Sequence, residues 1–290
     1  VFFLFINWRE ILIFRYPGGK SRKSVKEKIF QSFPEKYLEL RDIMTGGGGI
    51  LFSAPLNLKR WANDIDSNLI SVYLALKNRS ADFIKECKNI LPASKKDSLI
   101  AAKNGKAIYS AQLKKIFDAF SEDESMDQAL RYLFINRTVW GGRVRYSMKS
   151  RMYFSNPSGW NIVKTNKLEK AAQVLQDVKI TSGSYETPLF EDGTDVLVYI
   201  DPPYFCNTQQ PESSRLYDKN FEVADHEKLA SDIKQCKHKF VLSYDDNSFI
   251  RNLYKDYNLS SEQWTYSGTS SADGASKTKQ KGKELIIKNF

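Results

Sequence analysis

At 290 residues, with 41% hydrophobic and 13% aromatic content, the chain can bury a sizeable core, either as one large α/β domain with an insertion or as two modest domains. A formal net charge of +10 and a pI near 9.3 point to a polyanionic partner, nucleic acid or an acidic membrane surface. The apolar start at 1–6 is too short for a signal sequence or a span, and the two histidines and three cysteines (Cys87, Cys206, Cys236) lack metal spacing; this argues against a zinc site or a Ser-His-Asp triad and reads as reduced thiols in a cytosolic setting.

The first motif is Phe14-Arg15-Tyr16-Pro17-Gly18-Gly19-Lys20-Ser21-Arg22. Gly19-Lys20-Ser21 resembles the end of a P-loop, but the position five before Gly19 is Phe14 rather than Gly. What remains is a tight turn with an aromatic and a lysine four residues apart, suited to close over an adenosine and a carboxylate or to serve as a plain surface turn. Apolar runs then predict strands at 37–44, 59–63, 178–181, 195–200, 239–243 and 284–288. Helical spacing fills 67–76, and Asp225 is the expected N-cap of a helix through Cys236. Alternation of strand and helix predicts an α/β fold with a mostly parallel sheet flanked by helices.

Four glycines in Asp42-Ile43-Met44-Thr45-Gly46-Gly47-Gly48-Gly49 follow the first strand, so the backbone can pass close to a ligand there, as in a nucleotide-type pocket. About twenty residues on, Asn63-Asp64-Ile65-Asp66 ends the second strand. A carboxylate at that distance commonly takes ribose hydroxyls, and either Asp is also suited to cap the next helix. After the strand at 195–200 comes Asp201-Pro202-Pro203-Tyr204. Asp201 can accept an N–H, Pro202 cannot donate and leaves its carbonyl as a second acceptor, Pro203 stiffens the turn, and Tyr204 offers a flat face. Two acceptors and a stacking face suit the exocyclic amine of a nucleobase, although Asp and Pro also end strands in ordinary turns.

The segment 100–170 breaks the rhythm and is expected to be an inserted domain, helical at first and then rich in Gly, Arg and aromatics. From 128 to 168 there is no Asp or Glu, while Arg131, Arg137, Arg143, Arg145 and Arg151 are interleaved with Tyr132, Phe134, Trp140, Tyr146 and Trp160. Cations bind phosphates and flat rings stack on or wedge between bases, so this mixture is the footprint of nucleic-acid binding.

Taken together over 14–290, these motifs resemble the Dam-like family of N6-adenine-specific DNA methyltransferases. The leading aromatic-Pro-Gly-Gly-Lys, the glycine turn, Asn63 to Ile70, Asn136-Arg137, Asp-Pro-Pro-Tyr and the closing Glu284-Leu285-Ile286-Ile287 occur in the family's order. The resemblance implies a Rossmann-like methyltransferase fold, with 1–99 and 171–290 forming the S-adenosylmethionine-binding catalytic domain and 100–170 a target-recognition domain with a β-hairpin. It places S-adenosylmethionine at Tyr16, Lys20, Asp64 and Asp201, with Asp42, Gly46, Gly47 and Gly48 lining the pocket. Asp201, Pro202, Pro203 and Tyr204 match the catalytic turn, and Asn136, Arg137, Trp140, Arg143, Arg145 and Tyr146 the DNA-contacting region. It further implies double-stranded DNA as partner, no metal, no membrane, a cytoplasmic monomer in a prokaryotic or phage-infected cell, and a setting in which a cognate restriction endonuclease is a second partner. Two departures stand out: Ile43 and Met44 follow Asp42 where the family usually has Pro and Phe, and Gly141 and Arg143 differ from the best-known GATC-methylating members. A methyltransferase for RNA or a protein amide, and a DNA-binding module without catalysis, are the competing expectations.

Overall fold

The computed structural model describes residues 11–16, 20, 22–90, 125–139, 142, 144–146, 152–153, 164–205, 221–265 and 281–290. In chain order these form α1 (Lys23–Gln31), β1 (Glu39–Asp42), a 3-10 turn (Leu51–Ser53), β2 (Lys59–Asp64), α2 (Ser67–Asn78), α3 (Ser80–Ile90) and α4 (Ser125–Thr138). A short antiparallel pair, β3 (Arg145–Tyr146) and β4 (Met152–Tyr153), follows. The remainder is α5 (Thr165–Leu175), β5 (Val178–Ser182), α6 (Glu186–Phe190), β6 (Val196–Ile200), α7 (Val223–Gln235), β7 (Lys239–Asp245), α8 (Ser248–Leu253), β8 (Asn258–Thr265) and β9 (Lys281–Lys288).

Among the described residues, seven strands make one sheet in the order β5-β2-β1-β6-β7-β9-β8. The first five pair in parallel, and β9 runs antiparallel between β7 and β8. Sequence alternation explains why both faces are covered. Along β6, β7 and β9, Leu197, Tyr199, Val241 and Ile286 pack toward α1 with Val25 and Ile29. The intervening Val196, Val198, Ile200, Phe240, Leu242, Leu285 and Ile287 pack with Leu229 and Ile233 of α7. A strand buried on both faces must be apolar at every position, which is why 196–200 reads as a continuous run.

A third cluster joins α2, α3, α4 and α5 to Ile11, Ile13 and Phe14. Helix α4 falls in the expected insertion, yet Ala129, Leu133 and Ile135 are buried in the same cluster as Leu69 and Tyr73 of α2. Three local expectations are corrected. The first strand is shorter than 37–44, because the chain turns out of the sheet after Asp42. Asp195 lies outside β6 at φ 50°, and its carbonyl accepts the N–H of Leu38 and Glu39. Helix α7 begins at Val223 with Glu222 as N-cap; Asp225 is the third helical residue and accepts the Glu222 N–H in a reciprocal capping box. Asn258–Thr265 escaped the strand pattern because it is a polar edge strand in which Leu259 is only partly buried against the core.

Candidate active site

The sheet brings its acids to one edge. Asp42 ends β1, Asp64 ends β2, Asp201 follows β6, and Asp245 ends β7 directly opposite Glu284 of the reversed β9. The chain leaves β1 to one side through β2 and returns on the other through β6, so this edge is the crevice at a topological switch point, where open α/β sheets bind ligands.

The glycine turn is built for close approach. Gly46 and Gly48 have φ of 48° and 71°, in the left-handed region that glycine adopts without strain. A Cβ on Gly46 would lie 2.7 Å from the Tyr16 ring, and one on Gly47 would lie 2.8 Å from the Tyr16 Cβ, so Tyr16 lies across the turn. Tyr73 of α2 donates from below to the Gly46 carbonyl at 2.7 Å. Asp64 is buried and accepts the Gly46 N–H on Oδ2 at 2.8 Å and the Asp66 N–H on Oδ1 at 3.0 Å. Burial pushes its carboxyl up to about 6, with those N–H bonds pulling partly the other way. The helix-capping role belongs to Asp66, whose Oδ1 accepts the N–H of Asn68 and Leu69. Asp42 is buried with Oδ1 unpartnered among the described residues. Burial first, then the neighbouring Asp201, raise its carboxyl well above the ordinary range.

Around Asp201 a dense polar cluster forms. Lys20 donates to Asp201 Oδ1 at 2.7 Å and to the Tyr204 hydroxyl at 2.8 Å, and its Nζ lies 2.8 Å from Glu284 Oε1. The Tyr204 hydroxyl in turn donates a hydrogen bond to Glu284 Oε1 at 2.7 Å. Ser243 donates to the same Asp201 Oδ1 at 3.1 Å, so Tyr199, 3.0 Å from the Ser243 oxygen, is the donor in that contact. The hydrogen bonds given to Asp201 thus end on Oδ1, while its side chain keeps 20% of its surface open. Burial pulls the Lys20 ammonium down, but Asp201 and Glu284 override it and hold it above its usual value. The far end of the turn is anchored by Phe205, whose N–H bonds Asp245 at 2.9 Å and whose ring stacks on Phe249 at 4.3 Å.

The expected cofactor and catalytic residues therefore converge on one edge, whereas the expected DNA contacts divide. Asn136 is fully buried: its Oδ1 accepts the Arg15 N–H at 2.9 Å, and its amide donates to the carbonyls of Arg15 at 2.8 Å and Gly142 at 3.0 Å. Both amide protons are spent, so Asn136 is an internal brace rather than an exposed DNA contact. Arg137 is also buried and reaches the Ile13 carbonyl; burial, and then Arg15, lower its guanidinium to about 10. Tyr146 is buried and donates to Asp66 Oδ2 at 2.6 Å. Trp140 and Arg143 lie outside the described residues, as does Cys206; of Arg145 only the backbone is described, paired with Tyr153. Sequence reasoning gave no role to Tyr73, Tyr199, Ser243 or Glu284. The available signal for Glu284 was a lone acid opening an otherwise apolar run.

A Rossmann-like sheet whose glycine turn and acidic strand ends share one edge with an Asp-Pro-Pro-Tyr turn has the arrangement of a nucleotide-type pocket beside a turn suited to a planar amine. The family model of D12 class N6 adenine-specific DNA methyltransferases matches 16–267, and the chain belongs to that family. S-adenosylmethionine is the methyl donor that membership implies. The chain is 26% identical over 289 residues to the Type II methyltransferase M1.LlaDCHI of Lactococcus lactis subsp. cremoris, covering 95% of this chain and 94% of that protein. It is 26% identical over 253 residues to a DNA adenine methylase of Vibrio cholerae, covering 84% and 85% of the two chains. It is 25% identical over 271 residues to the Type II methyltransferase M.MjaIII of Methanocaldococcus jannaschii, covering 84% and 88%. Among the described residues no helix is long and apolar enough to cross a membrane.

Proposed function

We propose that this protein transfers a methyl group to N6 of an adenine flipped out of duplex DNA, using Asp201, the Pro202 carbonyl and Tyr204 on the base. S-adenosylmethionine, when bound, supplies a methyl group already activated by its positive sulfur. The residues present fit that donor: a buried acceptor on Asp42 unpartnered among the described residues, a glycine turn close-packed under the Tyr16 ring, and the Asp64 carboxylate beside it. Tyr16, Asp42, Gly46, Gly47, Gly48 and Asp64 would hold it, with Lys20 and Asp201 between it and the base.

The observation that carries this reading is the one-sided bonding of Asp201. Adenine N6 is a poor nucleophile because its lone pair is delocalised into the ring. With Oδ1 fixed by Lys20 and Ser243, Oδ2 is left to accept one N6 proton while the Pro202 carbonyl accepts the other. That pair localises the lone pair and stabilises positive charge as it develops on nitrogen. Tyr204, tethered through its hydroxyl, keeps a fixed ring plane on which the base stacks. A base inside a duplex cannot reach such a crevice, so it is extruded, and the basic segment 100–170, rooted by α4, grips the DNA with Trp140, Arg143 and Arg145 as its contacts. The Type II names of two relatives favour a restriction-modification setting. The test is incubation with labelled S-adenosylmethionine and unmethylated genomic DNA, followed by digestion to nucleosides. Label in N6-methyladenosine of the deoxy series is expected; label that survives DNase treatment or appears in protein would overturn the reading.

A pH dependence follows from Asp64. Its carboxyl, ordinarily near 3.8, stands at about 6 in the folded protein, so it adds stability that is fully present below the ordinary value and lost as pH rises through about 6. A cationic donor reverses the preference by favouring the carboxylate. The rise in melting temperature caused by S-adenosylmethionine should therefore grow between about pH 5 and about pH 7. A shift independent of pH across that window would remove Asp64 from the cofactor site.

A further inference from the structure

We infer that Glu284 is a positioning residue for methyl transfer, holding the Lys20 ammonium and the Tyr204 ring in place so that Asp201 and the base platform are fixed before the substrate arrives. The inference rests on the function proposed above. Glu284 opens the buried part of β9, the strand that runs against its neighbours, and this reversal delivers its side chain to the same edge as the strand-end acids. Its side chain has no exposed surface, and one oxygen, Oε1, receives both the Tyr204 hydroxyl at 2.7 Å and Lys20 Nζ at 2.8 Å.

A buried carboxylate costs desolvation that only a partner can offset, so its presence in an apolar strand needs a reason. Packing supplies none, since the residues that follow, Leu285, Ile286 and Ile287, are fully buried aliphatics. The partners supply one. Lys20 bonds Asp201 and Glu284 together, and the Lys20 ammonium lies 5.0 Å from the centre of the Tyr204 ring. Among the described residues, the charged and titratable groups around this ammonium are Asp201 and Tyr204 from the turn after β6 and Glu284 from β9, with Asp42 of β1 and Asp245 of β7 on the same edge. With Glu284 neutral, Lys20 loses one of the anionic partners Asp201 and Glu284 against its burial penalty, and the Tyr204 hydroxyl loses its charged acceptor.

The test replaces the charge and keeps the shape, in Glu284→Gln. Single-turnover methyl transfer should slow by roughly tenfold or more, while S-adenosylmethionine affinity stays within about threefold of wild type. The Lys20 Nζ resonance of ¹⁵N-lysine-labelled protein, assigned with Lys20→Arg, should move on the substitution, and its ammonium protons should exchange with water faster than in wild type, without any turnover. Wild-type rate together with an unmoved Lys20 resonance would overturn the inference, as would a loss of cofactor affinity large enough to account for the whole rate deficit. Should Glu284→Gln not fold, Tyr204→Phe tests the other arm: it removes one hydroxyl and should slow transfer several-fold at unchanged cofactor affinity, and full activity would refute the tether. If wild-type protein methylates no adenine, the proposed function fails, while the Nζ resonance and its proton exchange still test the hold of Glu284 on Lys20.

Discussion

Asp201→Ala should abolish methyl transfer, by roughly a thousandfold or more, while DNA binding stays within a small factor of wild type. The carboxylate is the anionic acceptor at the end of β6 with an oxygen not already committed to the protein. Removing it takes away the charge that stabilises a developing cation on N6, and a water in its place is neither anionic nor fixed. The fold should survive, because Lys20 keeps Glu284 and Tyr204 as partners. Asp201→Asn separates two effects, since it retains a carbonyl acceptor without the charge, and should fall between alanine and wild type. Methyl transfer to a short duplex and gel retardation of the same duplex give both readouts. Near-normal turnover in Asp201→Ala would sink the assigned mechanism.

Arg41→Met should cost about 3 kcal/mol or more in stability, the largest loss expected of a single change away from the crevice. Arg41 is fully buried in β1, where its guanidinium pairs with Glu39 and donates to the carbonyls of Pro188, Glu191 and Asp192 around α6, over the ring of Trp61. Methionine fills much of the space but leaves three carbonyls and a carboxylate without their donor. Urea unfolding, with the slope compared to confirm an unchanged transition, measures the loss; a change under about 1 kcal/mol would mean that water replaces the guanidinium freely.

The contrast between Arg41 and its neighbours shows where sequence was informative. Valine, isoleucine and leucine located β5, β6, β7 and β9, because a buried strand must be apolar wherever its chain partners lie. The glycine turn and Asp-Pro-Pro-Tyr were legible for a related reason: backbone demands at those points admit few residue types. Arg41, Asn136 and Glu284 were not legible in this way. Their burial is tolerated through partners most of which lie far along the chain: 147 positions for Arg41 with the Pro188 carbonyl, 121 for Asn136 with Arg15, and 80 for Glu284 with Tyr204. A local pattern cannot contain that information. For the same reason Asn136, Arg137 and Tyr146 read as part of a basic, aromatic surface and proved to be interior braces. The composition of the acid-free stretch did not tell which of its members face outward, and among the described ones these three face inward.

The amide of Asn136 clasps Arg15, the residue before the aromatic cover of the glycine turn, and Tyr146 holds the carboxylate two residues past Asp64. On the proposed function, this means for protein engineering that 100–170 is not a detachable recognition cassette. A chimera that imports 100–170 from a relative to recognise another DNA site must also import matching residues at 11–16 and at 66. Otherwise the graft would loosen the seat of the methyl donor, and a failed exchange of specificity would be mistaken for a failed enzyme.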